Sequence, residues 1–211
     1  MRIASTLIAC LLLSGTLSPL SAQQDPPAEP WTELGRGTVE ISVVGGTTLP
    51  VGWLRAHSDR HLTMASFDLG RVMTRKVGPG RVAGSAQMLI SLTPLMMFSR
   101  PEHFTRGAAV SPLFLRWNFE SLFGSRAHLF AEGSAGFAYT ETPPAGDAFL
   151  NFLEQVGFGL RISRSQQQRW LVGYRFAHVS NGGRTSQNPG ANYNFVYLGV
   201  TFLRRASKLS D

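Results

Sequence analysis

The sequence predicts an all-β protein, an eight-stranded antiparallel β-barrel that crosses a membrane with its strands. Three observations predict it. Beyond the N-terminal segment no window of 18 apolar residues occurs, so no transmembrane helix is expected. The chain instead repeats runs of roughly ten alternating residues separated by turn signals. Within the later runs, one face is large and apolar and the other is small or polar. In one run Trp170, Val172, Tyr174, Phe176 and His178 share a face opposite Leu171, Gly173, Arg175, Ala177 and Val179. In the run before it Leu150, Phe152, Val156, Phe158, Leu160 and Ile162 oppose Asn151, Gln155, Gly157, Gly159 and Arg161. The large set is too bulky for an eight-stranded lumen, whereas the small and polar set fits it. Lipid outside and a polar interior is therefore preferred over a soluble, lipocalin-like barrel, although the first three runs alternate less cleanly.

The N-terminal segment stands apart. Met1-Arg2 is followed by a largely apolar stretch from Ile3 to Leu13, then by small and polar residues ending at Leu20-Ser21-Ala22. That layout predicts a secretory signal peptide over residues 1–22, a retained anchor being the alternative. The one cysteine, Cys10, lies inside the apolar stretch, so the exported part carries none and cannot rely on disulfides. Residues 23–37 are rich in Pro, Gln and Glu and read as a flexible periplasmic lead-in. Residues 38–204 are assigned to the barrel and 205–211 to a C-terminal tail.

The eight runs are about Thr38–Gly45, His61–Val72, Val82–Phe98, Ala108–Phe119, His128–Thr140, Phe149–Ile162, Trp170–Val179 and Tyr193–Leu203. The gaps Thr74–Gly80, Glu120–Arg126 and Ser163–Gln168 read as short turns. Gly46–Arg60, Ser99–Gly107, Glu141–Ala148 and Ser180–Asn192 read as longer loops. Short turns on one side and long loops on the other, with an even strand count, place both termini in the periplasm. The formal net charge of +7 suits a polyanionic surface such as lipopolysaccharide phosphates, and no Lys/Arg run is dense enough to suggest nucleic acid.

The chemistry concentrates in the seventh run and the loop after it. On a strand, positions i and i+2 share a face, so His178 and Ser180 are neighbours, the pairing that a serine nucleophile with an imidazole base requires. The shared face is the apolar one, so the pair looks out toward lipid. The ordinary alternative is a chance His-x-Ser beside a common Asn-Gly-Gly turn, with a histidine that merely touches headgroups. A hairpin centred on Ser186 predicts Ser180 opposite Asn192 and His178 opposite Asn194, both asparagines on the same outward face. His57, His61, His103 and His128 are scattered, so neither a metal nor another cofactor is expected, and no Gly-rich phosphate loop precedes a helix.

Tyr174-Arg175-Phe176-Ala177-His178-Val179-Ser180-Asn181-Gly182-Gly183, then Asn188-Pro189-Gly190 and Tyr197-Leu198-Gly199-Val200, resembles the lipid A 3-O-deacylase family, whose members are often labelled acyloxyacyl hydrolases. Ser111 to Phe119 and Phe130 to Tyr139 resemble it as well, so the likeness covers the second half of the chain well and the first half loosely. The resemblance implies an eight-stranded outer-membrane barrel that hydrolyses an ester-linked acyl chain of lipid A. It implies that His178 is the base and Ser180 the nucleophile, and that Asn181, Gly182 and Asn188 help bind the oxyanion. Its partners would be lipid A and the outer membrane, with homodimerisation left open. The family's best-known members carry an acidic residue twelve positions after the serine, where this chain has Asn192. Three readings follow. Asn192 suffices as an orienter, or the site is weak or inactive, or Glu154 stands in. Glu154 lies on the lipid-facing side of the sixth run, opposite His178 in one of two registers. A non-catalytic structural or adhesive barrel remains the rival for the whole chain.

Overall fold

The computed structural model describes residues 34–55, 60–120, 126–144, 147–165, 167–188 and 190–204. The expected signal peptide, most of the lead-in, the C-terminal tail and His57 lie outside the described residues. Eight strands run β1 (Val39–Thr48), β2 (His61–Val72), β3 (Gly84–Arg100), β4 (His103–Phe119), β5 (Ala127–Thr140), β6 (Leu150–Ser163), β7 (Gln168–Ser180) and β8 (Ala191–Arg204). Each pairs antiparallel with its sequence neighbours, and β8 returns to β1, closing the barrel with no free edge. No described helix is long and apolar enough to cross a membrane. The strands, 10 to 17 residues long, reach the length that a tilted membrane strand needs.

Two expectations about connections are corrected. The sequence suggested a long loop over Ser99–Gly107, but β3 and β4 are joined by Pro101-Glu102 alone. Conversely, the β2–β3 connection spans residues 73–83, contains a 3₁₀ turn at Gly80–Val82 and bridges Val77 to Gly84. Short turns and long loops therefore do not segregate cleanly to the two ends.

Two prolines lie inside strands, Pro94 in β3 and Pro112 in β4. In β3 the buried residues are Gln87, Leu89, Ser91 and Thr93, then Met96 and Phe98, so the inward set changes parity at Pro94. In β4 the inward set passes from Thr105, Ala109 and Ser111 to Phe114, Arg116 and Asn118, changing parity at Pro112. Register shifts lie at Thr93/Met96 and Val110/Leu113. A proline has no N–H for the ladder and is tolerated where a bulge leaves a residue unpaired. The bulge restores the correct face after the slip, at the cost of an alternation that looks broken in the sequence.

The exterior is apolar, and the interior combines a buried apolar cluster with charged and polar side chains. Leu198 and Val156 are 64% and 60% exposed, whereas Arg116, Arg161 and Arg175 are 1–3% exposed. Five of the buried lumen charges, one from each of five strands, form a single network. Glu40 accepts Arg116 Nη1 at 2.6 Å and Arg161 Nη2 at 2.7 Å. Glu132 accepts Arg116 Nε at 3.0 Å, Arg175 Nε at 2.7 Å and the Tyr197 hydroxyl at 2.6 Å. Gln87 Nε2 and Ser42 Oγ also donate to Glu40, each at 2.9 Å. The Arg116 guanidinium lies 4.7 Å from the Phe130 ring centre and that of Arg175 4.5 Å from Tyr197. An aqueous barrel would reverse this arrangement, so the soluble alternative is excluded by the burial pattern. Because Glu132 holds two guanidinium groups, Glu132→Leu is expected to cost about 3–5 kcal/mol by leaving buried cations uncompensated. Urea unfolding in detergent micelles, followed by the gel-mobility change of the folded barrel, measures that loss.

Candidate functional site

The register of β6, β7 and β8 assembles the outward face residue by residue. Glu154 pairs with His178, and His178 pairs with Asn192. The first pairing is the one that a Glu154 role required. The second corrects the expectation that Ser180 lies opposite Asn192 and His178 opposite Asn194: Asn194 pairs with Phe176, and Ser180 pairs with Phe152 on the other side. The hairpin is centred one residue earlier than assumed, at Thr185, because Val179 pairs with Ala191. The slip is two residues in the sum of partner numbers, so every side chain keeps its face.

Asn192 Oδ1 lies 2.6 Å from His178 Nδ1. With the amide oxygen accepting, Nδ1 carries the proton and Nε2 keeps its lone pair. Gly190 backs the imidazole on that side. It has φ +62°, and a Cβ there would come within 3.0 Å of His178 Cε1 and 3.6 Å of Nε2, so space and backbone conformation both select glycine. Ser180, two residues along the same face, is 9% exposed, and no hydrogen bond joins it to His178 in this structure. Glu154 is exposed beside the imidazole but makes no hydrogen bond or ion pair with it. Asn192, not Glu154, orients the ring.

The loop after β7 separates the three residues expected at the oxyanion. Asn181 is fully buried: its Nδ2 donates to the Thr185 hydroxyl and to Gln187 O at 2.8 Å, while its Oδ1 accepts Gly183 N at 2.8 Å. Its own N–H donates to Asn188 Oδ1 at 3.0 Å. Asn181 is thus committed to the loop's shape. By contrast Gly182 N–H and Asn188 Nδ2 donate to none of the described residues, and both residues are exposed. Gly182 takes φ +65° with the Phe152 ring against it, where a Cβ would meet Cε2 at 2.6 Å. The loop is tied to the β5–β6 connection through Asp147, which accepts from Thr185 and from Ser186 at 3.3 Å. The Thr185 hydroxyl holds the Asp147 carboxyl below its ordinary value.

A further element of the site was not anticipated. Asn194 faces outward yet is 1% exposed, because the β1–β2 connection folds down over it. Its Nδ2 donates to Val51 O at 3.0 Å and Trp53 O at 2.8 Å, and its Oδ1 accepts the Tyr174 hydroxyl at 2.6 Å. Leu49 N donates to Asn194 O at 2.8 Å. The Trp53 ring then lies 5.6 Å from Tyr174, which lies 5.6 Å from Phe158. The only sign in the sequence was a second outward asparagine on an otherwise apolar face; nothing local could name the distant segment that satisfies it.

Among the described residues no group of three His, Cys, Asp or Glu side chains is placed to hold a metal. A comparison with curated proteins gives no match. Among solved structures, the barrel is similar to the crystal structure of the outer membrane enzyme PagL, with a TM-score of 0.51 and 16% identity over 76% of this chain and 97% of that one. It also aligns with the outer membrane protein OprG from Pseudomonas aeruginosa, with a TM-score of 0.48 and 6% identity over 82% of this chain and 98% of that one. The family profile described as lipid A 3-O-deacylase (PagL) matches residues 84–201, more than half of the chain and the whole hairpin that carries His178, Ser180 and Asn192. An outer-membrane β-barrel by fold and by sequence, the chain belongs to the lipid A 3-O-deacylase family.

Proposed function

We propose that this protein is an outer-membrane serine esterase that removes an ester-linked acyl chain from lipid A. The observation that carries the proposal is the 2.6 Å contact from Asn192 to His178 Nδ1, which leaves Nε2 basic on the face that Ser180 shares. His178 Nε2 takes the Ser180 proton as Oγ attacks the ester carbonyl. The developing oxyanion is held by Gly182 N–H and Asn188 Nδ2, the two donors that the loop leaves unused. Collapse breaks the bond between the acyl carbon and the sugar oxygen, which takes the proton from the imidazolium and leaves as the hydroxyl. A water activated by the same imidazole then releases the fatty acid from Ser180 as a carboxylic acid. Asn192 fixes the tautomer but cannot compensate the imidazolium charge, so Glu154, the other cross-strand neighbour of His178, supplies the nearest compensating charge.

Mass spectrometry of lipid A from cells expressing the protein tests the activity. Loss of one acyl chain is expected, and Ser180→Ala should abolish it; identical spectra with and without Ser180 would instead support a non-catalytic barrel, the reading that the neutral Asn192 favours. Asn192→Asp restores a charged partner and is expected to raise kcat, whereas Glu154→Gln should lower it about tenfold, equivalent to about 1.4 kcal/mol of barrier. Unchanged turnover in Glu154→Gln would remove Glu154 from the mechanism. Asn194→Leu frees the Val51–Trp53 segment from the barrel wall without touching the imidazole. It is therefore expected to raise KM with little change in kcat, as steady-state kinetics on micellar lipid A will show.

A further inference from the structure

A second polar site lies at the opposite end of the barrel from Ser180, where the termini of the described chain and the β2–β3, β4–β5 and β6–β7 connections meet. A cavity of about 320 Å³ there is bordered by Arg36, Arg75, Lys76, Arg161 and Arg169, with Glu120 as its one carboxylate among the described residues. Lys76 and Glu120 already form an ion pair with each other. Cations thus exceed anions around a confined space, where their mutual repulsion is poorly screened. The floor is built from the lumen stack itself. Arg161 is 1% exposed and is held by Asn118 Oδ1 at 2.7 Å and Glu40 Oε2 at 2.7 Å, and Asn118 also borders the cavity. Arg161 Nε is buried with no partner among the described residues, a donor the stack leaves unused.

From this geometry we infer that the cavity is an anion site for a phosphate ester, held by the guanidinium groups of Arg36 and Arg75 above the Arg161–Asn118 floor, with Arg169, whose Nη1 donates to Ser165 O and Gln168 O, adding positive charge at its border. Guanidinium forks match phosphate oxygens bidentately. The volume is more than bare phosphate requires and accommodates a small phosphorylated molecule or a phospholipid headgroup. The site is independent of the esterase reading, sharing none of its residues.

Titration calorimetry on the full chain, folded in uncharged detergent at low salt, tests it with glycerol 3-phosphate and inorganic phosphate as soluble probes. Nanodiscs of phosphatidylglycerol or phosphatidylcholine form the lipid arm. Binding of a soluble probe with Kd below about 1 mM is expected, weakening as salt rises. Arg36→Ala combined with Arg75→Ala, both positions outside the strands, should weaken it about tenfold or more and leave lipid A hydrolysis unchanged. Binding seen only with phosphatidylglycerol, and lost in the same variant, assigns the site to a headgroup instead of a free solute. No binding in either arm, or binding indifferent to the double variant, would overturn the inference.

Discussion

The alternating stack Arg161–Glu40–Arg116–Glu132–Arg175 is the interaction on which the rest of the barrel depends. Its members come from β6, β1, β4, β5 and β7, so it ties together strands that are not all neighbours in the sheet. In a lumen without bulk water, a carboxylate that misses its guanidinium is costly. A slip of the ladder would carry Glu40 or Glu132 away from two partners at once, so the stack pins the register. It also commits one level of the inward face to charged side chains, with buried apolar residues such as Phe114, Phe130, Leu153 and Phe195 packed in the lumen beside it. The position of the candidate site follows. His178 and Ser180 have the outward parity of β7, so a polar lumen places them on the lipid side.

On that side the hairpin end is shaped by polar contacts that the surrounding apolar face does not share. Asn181 organises the loop from within, Asp147 ties it to the neighbouring connection, and Asn194 draws the β1–β2 connection down beside it. Three segments far apart in the chain thereby border one small region of the outer surface. Glu154 and Asn192 flank His178 from the two neighbouring strands on this same outward face, Glu154 being the more exposed of the two.

Much of this was legible in the sequence, and the parts that were not share a cause. Period-two alternation in β6 and β7 revealed strands, faces and the outward direction of His178 and Ser180, because side-chain direction on a strand is a local property. The Glu154–His178 pairing was legible as one of two registers because the β6–β7 turn is short. Across the longer loop after Ser180 the pairing of Asn192 was misjudged by one cross-strand step, since the loop's length is set by Asn181, Asn188 and Gly190 acting together. Both β3 and β4 were legible as strands, but at Pro94 and Pro112 a bulge shifts the inward parity and interrupts the alternation.

By itself the sequence determined the strand count, the inside-out distribution of polar and apolar residues, and the His-x-Ser pair with an asparagine where family members carry an acid. Each is local or follows from a repeat of two. Only the tertiary structure decided that Asn192 holds the imidazole, that Asn181 belongs to the loop while Gly182 and Asn188 keep free donors, and that Trp53 stands beside Tyr174. Those contacts join residues through register, loop closure and the docking of a distant segment. Such long-range geometry is chosen by the satisfaction of polar groups across the whole barrel, which no stretch of sequence encodes alone.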